Sequence, residues 1–341
     1  MTMPATRRDP RHGAWERFRR YPAASIVLLY AALLLGCIVA SLLSANFPFL
    51  VDGNLAVLSQ KTPRLMLLAV GAGLLMICGE FDLSIGAVFV LSAYLMGIAL
   101  HDGGWPLWAA VMLGVGSGIV VGTINGLITT KLRVPSFITT LGMMFALRGI
   151  VRYAAGSRRG STIKRQELFP GEAFEAALTG QIAGPLHAQL PWVIGFAFVA
   201  YLLLSRHRLG NHFAAVGGNR EAAVSAGINT DRVKITAFIL CSSLAAVAGI
   251  FSATRLNGAI PETMLIGLEL QAIAACVIGG VFLFGGRGTV MGMILGAALI
   301  VTVDNILALS RAPGEYFRFF IGAVLVVATV LNTLVARRIS K

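Results

Sequence analysis

The chain is poor in charge. Only 13% of its 341 residues are Asp, Glu, Lys or Arg, about half the share found in soluble domains. That scarcity excludes an ordinary water-soluble domain. Cysteine is scarce too. The four present, Cys37, Cys78, Cys241 and Cys276, lie within apolar runs and form no CxxC pair, which excludes a disulfide framework and a thiolate zinc site. The five histidines, His12, His101, His187, His207 and His212, lie outside those runs and none belongs to an HExxH pattern, so a zinc protease is excluded. No lysine follows a glycine, so the phosphate-cradling Walker A loop is absent. No GxSxG elbow occurs either. Without a nucleophile–base pair, no catalytic residue, no metal ligand and no cofactor of its own are expected of this chain.

What is abundant is apolar sequence. Hydrophobic residues make up 57% of the chain and mean hydropathy is +0.80. They gather in runs near the ~20 residues needed to cross a bilayer. The 39 glycines suit membrane helices, where small residues let backbones approach. The net charge of +13 would suit nucleic acid, but the bases are scattered between apolar runs and form no stripe. Membrane lipid, and not nucleic acid, is the expected surround.

Ten spans are expected, at about 23–45, 63–79, 84–100, 106–128, 135–154, 191–205, 235–253, 269–284, 288–308 and 317–336. Residues 1–22 form a basic leader containing six arginines. The apolar run that follows is too long for a cleaved signal. The leader places the N-terminus in the cytoplasm, and an even span count returns the basic tail 337–341 there. Seventeen of the 28 basic residues then face inward, as the positive-inside rule requires. The segment 155–190 runs against it, carrying Arg158, Arg159, Lys164 and Arg165 on the outer side. The expectation is therefore an all-α, polytopic integral membrane protein. Its 23–336 membrane domain carries a cytoplasmic loop at about 206–234, in a bacterial plasma (inner) membrane.

Within that loop, residues 218–228 read as a short polar helix. Asn219 is a good N-cap, Glu221 sits in the first turn where the helix dipole favours an acid, and Gly227 is placed to stop the helix. Two turns are marginal alone, so a partner surface is expected. Gly79-Glu80-Phe81-Asp82-Leu83-Ser84 breaks the apolar run between spans two and three. Irregular backbone at membrane depth survives where it is buried in protein or lines a cavity. Glu80, Asp82, Arg148, Glu269 and Asp304 are charges in or beside spans, which cost about 2.5–3.5 kcal/mol at mid-membrane. Three roles stay open for them: structural or interfacial, a polar lining for a neutral sugar with Asn125 and Asn305, or a proton relay. Two glycine ladders, Gly114-Gly118-Gly122-Gly126 and Gly288-Gly292-Gly296, place small residues on one helix face each, for close packing or for lining a pathway.

Several segments carry a resemblance. Gly218-Asn219-Arg220-Glu221-Ala222-Ala223…Gly227-Ile228 resembles the Glu-Ala-Ala…Gly loop of ABC transporter permeases. Asp82-Leu83-Ser84-Ile85-Gly86, the run Lys131–Leu141 with Leu147-Arg148-Gly149, the run Glu269–Gly280, and Gly285-Gly286-Arg287-Gly288 are similar, in order, to signatures of ribose-type monosaccharide permeases. The resemblance implies a subunit that moves a monosaccharide or polyol by alternating access. It implies three partners: a cytoplasmic ATPase that binds the ATP and Mg, a second permease subunit (the same chain or a paralogue), and a periplasmic or extracellular sugar-binding protein. It implies that Asn219, Arg220, Glu221, Ala222, Ala223, Gly227 and Ile228 couple to the ATPase. Candidates for pathway or gate are Glu80, Asp82, Ser84, Asn125, Glu269, Gln271, Asp304 and Asn305. The chain departs from the family pattern at Gly79-Glu80-Phe81, at Gln271 where an acid is usual, and at Phe282-Leu283-Phe284. The residues also allow a secondary transporter driven by a proton or sodium gradient, with Glu80, Asp82 and Asp304 as the ion site. Against it, no clear inverted hydropathy repeat is present, and a polar coupling helix would have no motor.

Overall fold

The structure, a computed structural model, describes residues 23–44, 46–155, 176–178, 180–256 and 267–339. The basic leader, much of the 155–190 segment and Lys341 lie outside the described residues.

Twelve helices order the described chain. They are α1 (Ala24–Leu43), α2 (Asp52–Ile77), α3 (Ile85–His101), α4 (Leu107–Lys131), α5 (Ser136–Ala155), α6 (Gln189–Ser205), α7 (Arg208–Gly218), α8 (Arg220–Ser225), α9 (Thr230–Leu256), α10 (Leu268–Ile278), α11 (Val290–Leu309) and α12 (Gly314–Ile339). Four of them, α1, α4, α9 and α11, are each long and apolar enough to cross a membrane. A fifth crossing is possible if α6 and α7, bent by 68° across their junction, count as one. The chain is thus an all-α, multi-pass membrane protein. One small exception to the expected all-α composition is a two-stranded antiparallel hairpin, β1 (Gln181–Ala183) with β2 (Leu186–His187). Gly184 and Pro185 make its turn, and Ser59 Oγ of α2 donates to the Pro185 carbonyl at 2.8 Å.

The centre is α2 against α9. From Leu65 to Cys78 α2 is apolar on nearly every face and almost wholly buried, as a helix without a polar face must be. Around it, α9 packs on α3 and α4, and α10 and α11 close the other side. The two glycine ladders are packing surfaces. A Cβ on Gly118 would lie 2.5 Å from the Ser242 carbonyl oxygen, and one on Gly122 would lie 2.6 Å from that of Phe238. So α4 meets α9 backbone to backbone. On α11, a Cβ on Gly292 or Gly296 would overlap the carbonyl oxygens of Gly279 and Ala275, which welds α11 to α10. By contrast α1 has 11% of its apolar window buried. It lies at the edge, touching α11.

Three boundaries differ from the sequence reading. Helix α2 begins at Asp52, not near 63, because Asn54 and Lys61 find partners on α11 that offset their polarity. Helix α10 ends at Ile278, although the apolar run continues to Phe284. Gly280 there adopts φ +82, and the amides of Gly280 and Val281 bond back to the carbonyls of Val277 and Cys276, a glycine C-cap that hydropathy cannot register. The 206–234 loop, read as a loop with one short helix, contains the extra helix α7.

Candidate coupling and transport site

The polar segment folds as its sequence demands. Asn219, with φ −155, lies outside the helix and its Oδ1 accepts from Ala222 N at 3.0 Å. Glu221 occupies the first turn of α8. At the other end Gly227 takes φ +79, a conformation a side chain strains, while Ile228 N bonds to the Ala223 carbonyl. Ala223 is buried and holds the helix down. Arg220, Glu221, Ala222, Val224 and Ser225 are exposed. Asn229 then caps α9, its Oδ1 accepting from Arg232 N at 3.0 Å. So the 218–228 helix is rigidly mounted, with one side presented outward.

Sequence reasoning missed its mounting. Helix α7 approaches it with Phe213 and Val216 buried, and the His207 side chain caps its start by accepting from Leu209 N. The signal was present: Leu209, Phe213 and Val216 recur at helical spacing, but glycines and polar residues diluted the run. Also missed was Asp231. Its carboxylate meets Lys131 Nζ at 3.0 Å and Arg220 Nη2 at 3.8 Å, which ties α8 to the end of α4 and the start of α9. These pairs are partly exposed and contribute little stability, but they fix orientation.

Directly before Asn219, three chain segments meet at their backbones. Gly217 and Gly218 end α7, Ile77–Gly79 end α2, and Gly285-Gly286 turn the chain between α10 and α11. Gly286 N donates to the Ile77 carbonyl at 2.8 Å. A Cβ on Gly285 would lie 2.8 Å from the Gly217 oxygen and 2.9 Å from Gly79 Cα. The 218–228 segment is therefore one residue from both helix interruptions.

The break at 79–84 is internal. Asp82 is 3% exposed. Its Oδ1 accepts from Ser84 N at 2.7 Å and Ser84 Oγ at 2.6 Å, and its Oδ2 accepts from Ser242 Oγ of α9 at 3.2 Å. Asn125 of α4 donates to Ser84 Oγ at 2.9 Å. Leu83 N finds Thr140 Oγ1 of α5 at 3.1 Å. The break thus hands its free backbone amides to side chains of α5 and to its own Asp82, as buried backbone requires, while α4 and α9 hold its side chains. Glu80 is ion-paired to Lys234 of α9.

The other candidates form separate clusters. Glu269 of α10 pairs with Arg148 of α5 at 3.4 Å, and its second oxygen lies over Gly86, where a Cβ would come within 2.5 Å. Asp304 takes Lys61 Nζ at 3.0 Å. Asn305 and Asn54 exchange amide hydrogen bonds at 3.1 and 2.7 Å. Gln271 is half-buried on α10. So Asp82, Ser84 and Asn125 come together, Glu80 and Glu269 lie on either side of that break, and Asp304 and Asn305 sit apart beside the first half of α2. Two buried acceptors near the break, Asn125 Oδ1 and Glu269 Oε2, have no hydrogen-bond partner among the described residues.

Comparison with known proteins identifies the family. A family model described as a branched-chain amino acid transport system permease component matches residues 54–329, which takes in both breaks, α7, α8 and the glycine junction. The chain belongs to this permease family. Among its relatives is the autoinducer 2 import system permease protein LsrC of Yersinia pseudotuberculosis serotype O:1b, 35% identical over 270 residues, covering 79% of this chain and 74% of the relative. The LsrC protein of Salmonella typhi is 34% identical over 306 residues, covering 89% and 84%. No solved structure matches. The chain is the membrane permease subunit of an ATP-binding cassette importer. Members of its family are transport components. Systems of this family work with an ATPase and a binding protein. The departures at Glu80 and Gln271 have local accounts: Glu80 gains Lys234 as a partner, and Gln271 stands on the half-buried side of α10.

Proposed function

We propose that the permease carries a small polyhydroxylated cargo, a monosaccharide or polyol or the autoinducer 2 of its relatives' names, across a bacterial inner membrane. Its chain crosses ten times with both termini in the cytoplasm, and a second copy or paralogue completes the pathway. The ATPase, holding ATP and Mg, sits beneath α8. Closure of two ATPase subunits pushes α8, and Gly217 passes that displacement to the ends of α2 and to the α10–α11 turn. Those interruptions frame the Asp82–Ser84–Asn125 cluster, whose spare acceptor Asn125 Oδ1, with Glu269 Oε2 of the neighbouring Arg148 pair, suits the hydroxyl groups of a neutral cargo. The binding protein outside supplies selectivity.

The observation that carries this reading is the backbone junction joining a doubly capped polar helix to two helix breaks. A gradient-driven mechanism lacks such support: Glu80, Asp82 and Asp304 are all held by Lys234, serines and Lys61. The test is Glu221→Lys in the assembled transporter. The substitution reverses a first-turn charge where the helix dipole is positive. Uptake into vesicles and co-purification of the ATPase should both fall at least tenfold, with normal membrane insertion. Wild-type uptake would remove α8 from the coupling path.

A further inference from the structure

A half-open cavity of about 200 Å³ lies beside α8. Its walls come from the 79–84 break, the α4–α5 turn, α8 and the start of α9. Four features distinguish it from an ordinary crevice. First, Arg133 in the α4–α5 turn lines it with φ +57. A non-glycine residue held there is strained by about 1–3 kcal/mol and persists where surroundings over-determine it. Second, Arg133 is exposed and meets no carboxylate among the described residues, while the two carboxylates that also line the cavity are engaged elsewhere, Glu80 by Lys234 and Asp231 by Lys131 and Arg220. Third, Thr129 lines the same cavity and is 9% exposed, and its sealed Oγ1 lacks a hydrogen-bond partner among the described residues. Buried hydroxyls are rarely left so. Fourth, the rim is shared with Arg220, the first residue of α8.

The lining carries three cations against two carboxylates, and the two carboxylates are already paired, so the free guanidinium suits an occupant that carries negative charge. A carboxylate fits: one oxygen for the Arg133 guanidinium, the other for the Thr129 hydroxyl once its side chain turns toward the cavity. Because α8 forms the rim, whatever sits on α8 can reach in. We infer that this cavity receives an aspartate or glutamate side chain of the ATPase subunit, a second point of attachment besides α8. The inference rests on the docking of the ATPase at α8 proposed above. It assigns Arg133 and Thr129 to the interface, which nothing in the coupling segment itself requires. An anchored carboxylate here would couple the ATPase to the α4–α5 turn as well as to α8, so that pull as well as push is transmitted.

The experiment uses the full-length permease in lipid nanodiscs and its cognate ATPase. Affinity is measured at 50 and 200 mM NaCl for wild type, Arg133→Gln, Arg133→Lys and Thr129→Val. Arg133→Gln should weaken binding about tenfold at low salt and flatten the salt dependence, since one desolvated charge pair is lost. Thr129→Val, nearly the same shape, should weaken it a few-fold and leave the salt dependence intact. Arg133→Lys should recover part of the affinity. A zero-length carbodiimide should then join its new amine to an Asp or Glu of the ATPase, identified by peptide mass spectrometry. Binding of Arg133→Gln equal to wild type at both salts would overturn the inference and leave α8 docking untouched. Failure of wild-type permease to bind would instead remove the underlying reading. Weakened binding that is independent of salt, with no cross-link to the ATPase, would make Arg133 a structural residue and also overturn the inference. Loss of anionic lipid retention by Arg133→Gln, with unchanged ATPase affinity, would give the cavity to a lipid headgroup and overturn it equally.

Discussion

The backbone junction invites a one-atom perturbation. In Gly217→Ala the added Cβ falls on the Ile77 carbonyl oxygen and lies 2.8 Å from Gly286 N, whereas ordinary contact begins at 3.4 Å. Neither neighbour is a side-chain tip that could swing aside. The α2 end and the 285–286 turn must therefore separate by on the order of 1 Å, and the 2.8 Å bond from Gly286 N to Ile77 O is stretched beyond hydrogen-bonding range. Overpacking costs about 1–3 kcal/mol, and leaving a buried amide and carbonyl unpaired costs about 1–3 kcal/mol more. A loss of about 2–6 kcal/mol is expected. Gly218→Ala is the matched control, because its Cβ would meet nothing nearer than Gly286 Cα at 3.9 Å. Both variants are purified in the same detergent. Thermal unfolding is followed by tryptophan emission, and ATPase activity is followed after reconstitution. Gly217→Ala should unfold several degrees earlier than wild type and lose the dependence of ATP hydrolysis on cargo, while Gly218→Ala behaves as wild type. If the two variants unfold together and hydrolyse alike, the junction is not the contact described here.

Other perturbations probe the break and the topology. Asp82→Ala strips three buried donors of their acceptor, so recovery of assembled transporter should drop several-fold, while Asp82→Asn, which keeps Oδ1, should recover near wild type; equal recoveries would show that the carboxylate does not hold the break. Glu80→Lys should lower recovery by facing Lys234 with a like charge, and adding Lys234→Glu should restore most of it, because the breaking of a partly buried pair, not its exchange, is costly; no restoration in the double variant would separate Glu80 from Lys234. A reporter active only outside the cytoplasm should work when fused at Gly184 in the hairpin turn and stay silent at Asn229, and activity at Asn229 would overturn both the ten-span topology and the cytoplasmic placement of α8.

Local features were legible from the chain alone. The ends of α8 follow from Asn219 and Gly227, whose effects reach only three or four residues, and the helices α3, α4, α5 and α11 follow from continuous apolar runs. What escaped depends on distance. Asp82 reads as an acid in a turn until Ser242, 160 residues later, and Asn125 close around it. Asp304 reads as a charge within a span until Lys61 meets it. Helix α7 owes its existence to the surface it covers more than to its own propensity, since its apolar side is narrow and its glycines disfavour helix. The end of α10 at Ile278 was hidden for the opposite reason: its apolar run continues beyond the point where Gly280 reverses the backbone. The ladders were visible as spacing, but which helix each one faced was not.

Those ladders bear on how the molecule can change shape. Where α4 crosses α9, and where α11 crosses α10, main chain rests on main chain. At Gly118, Gly122, Gly292 and Gly296 such seams have no rotamer-rich side chain whose reorientation could absorb a slide. The helices they join behave as struts of one frame, not as leaves of a hinge. A load arriving at Gly217 cannot be dissipated by shear inside that frame and must tilt it whole. Compliance is left to the outer helices α1, α5, α6 and α12 and to the seams with neighbouring subunits, which is where a conformational cycle has room to run.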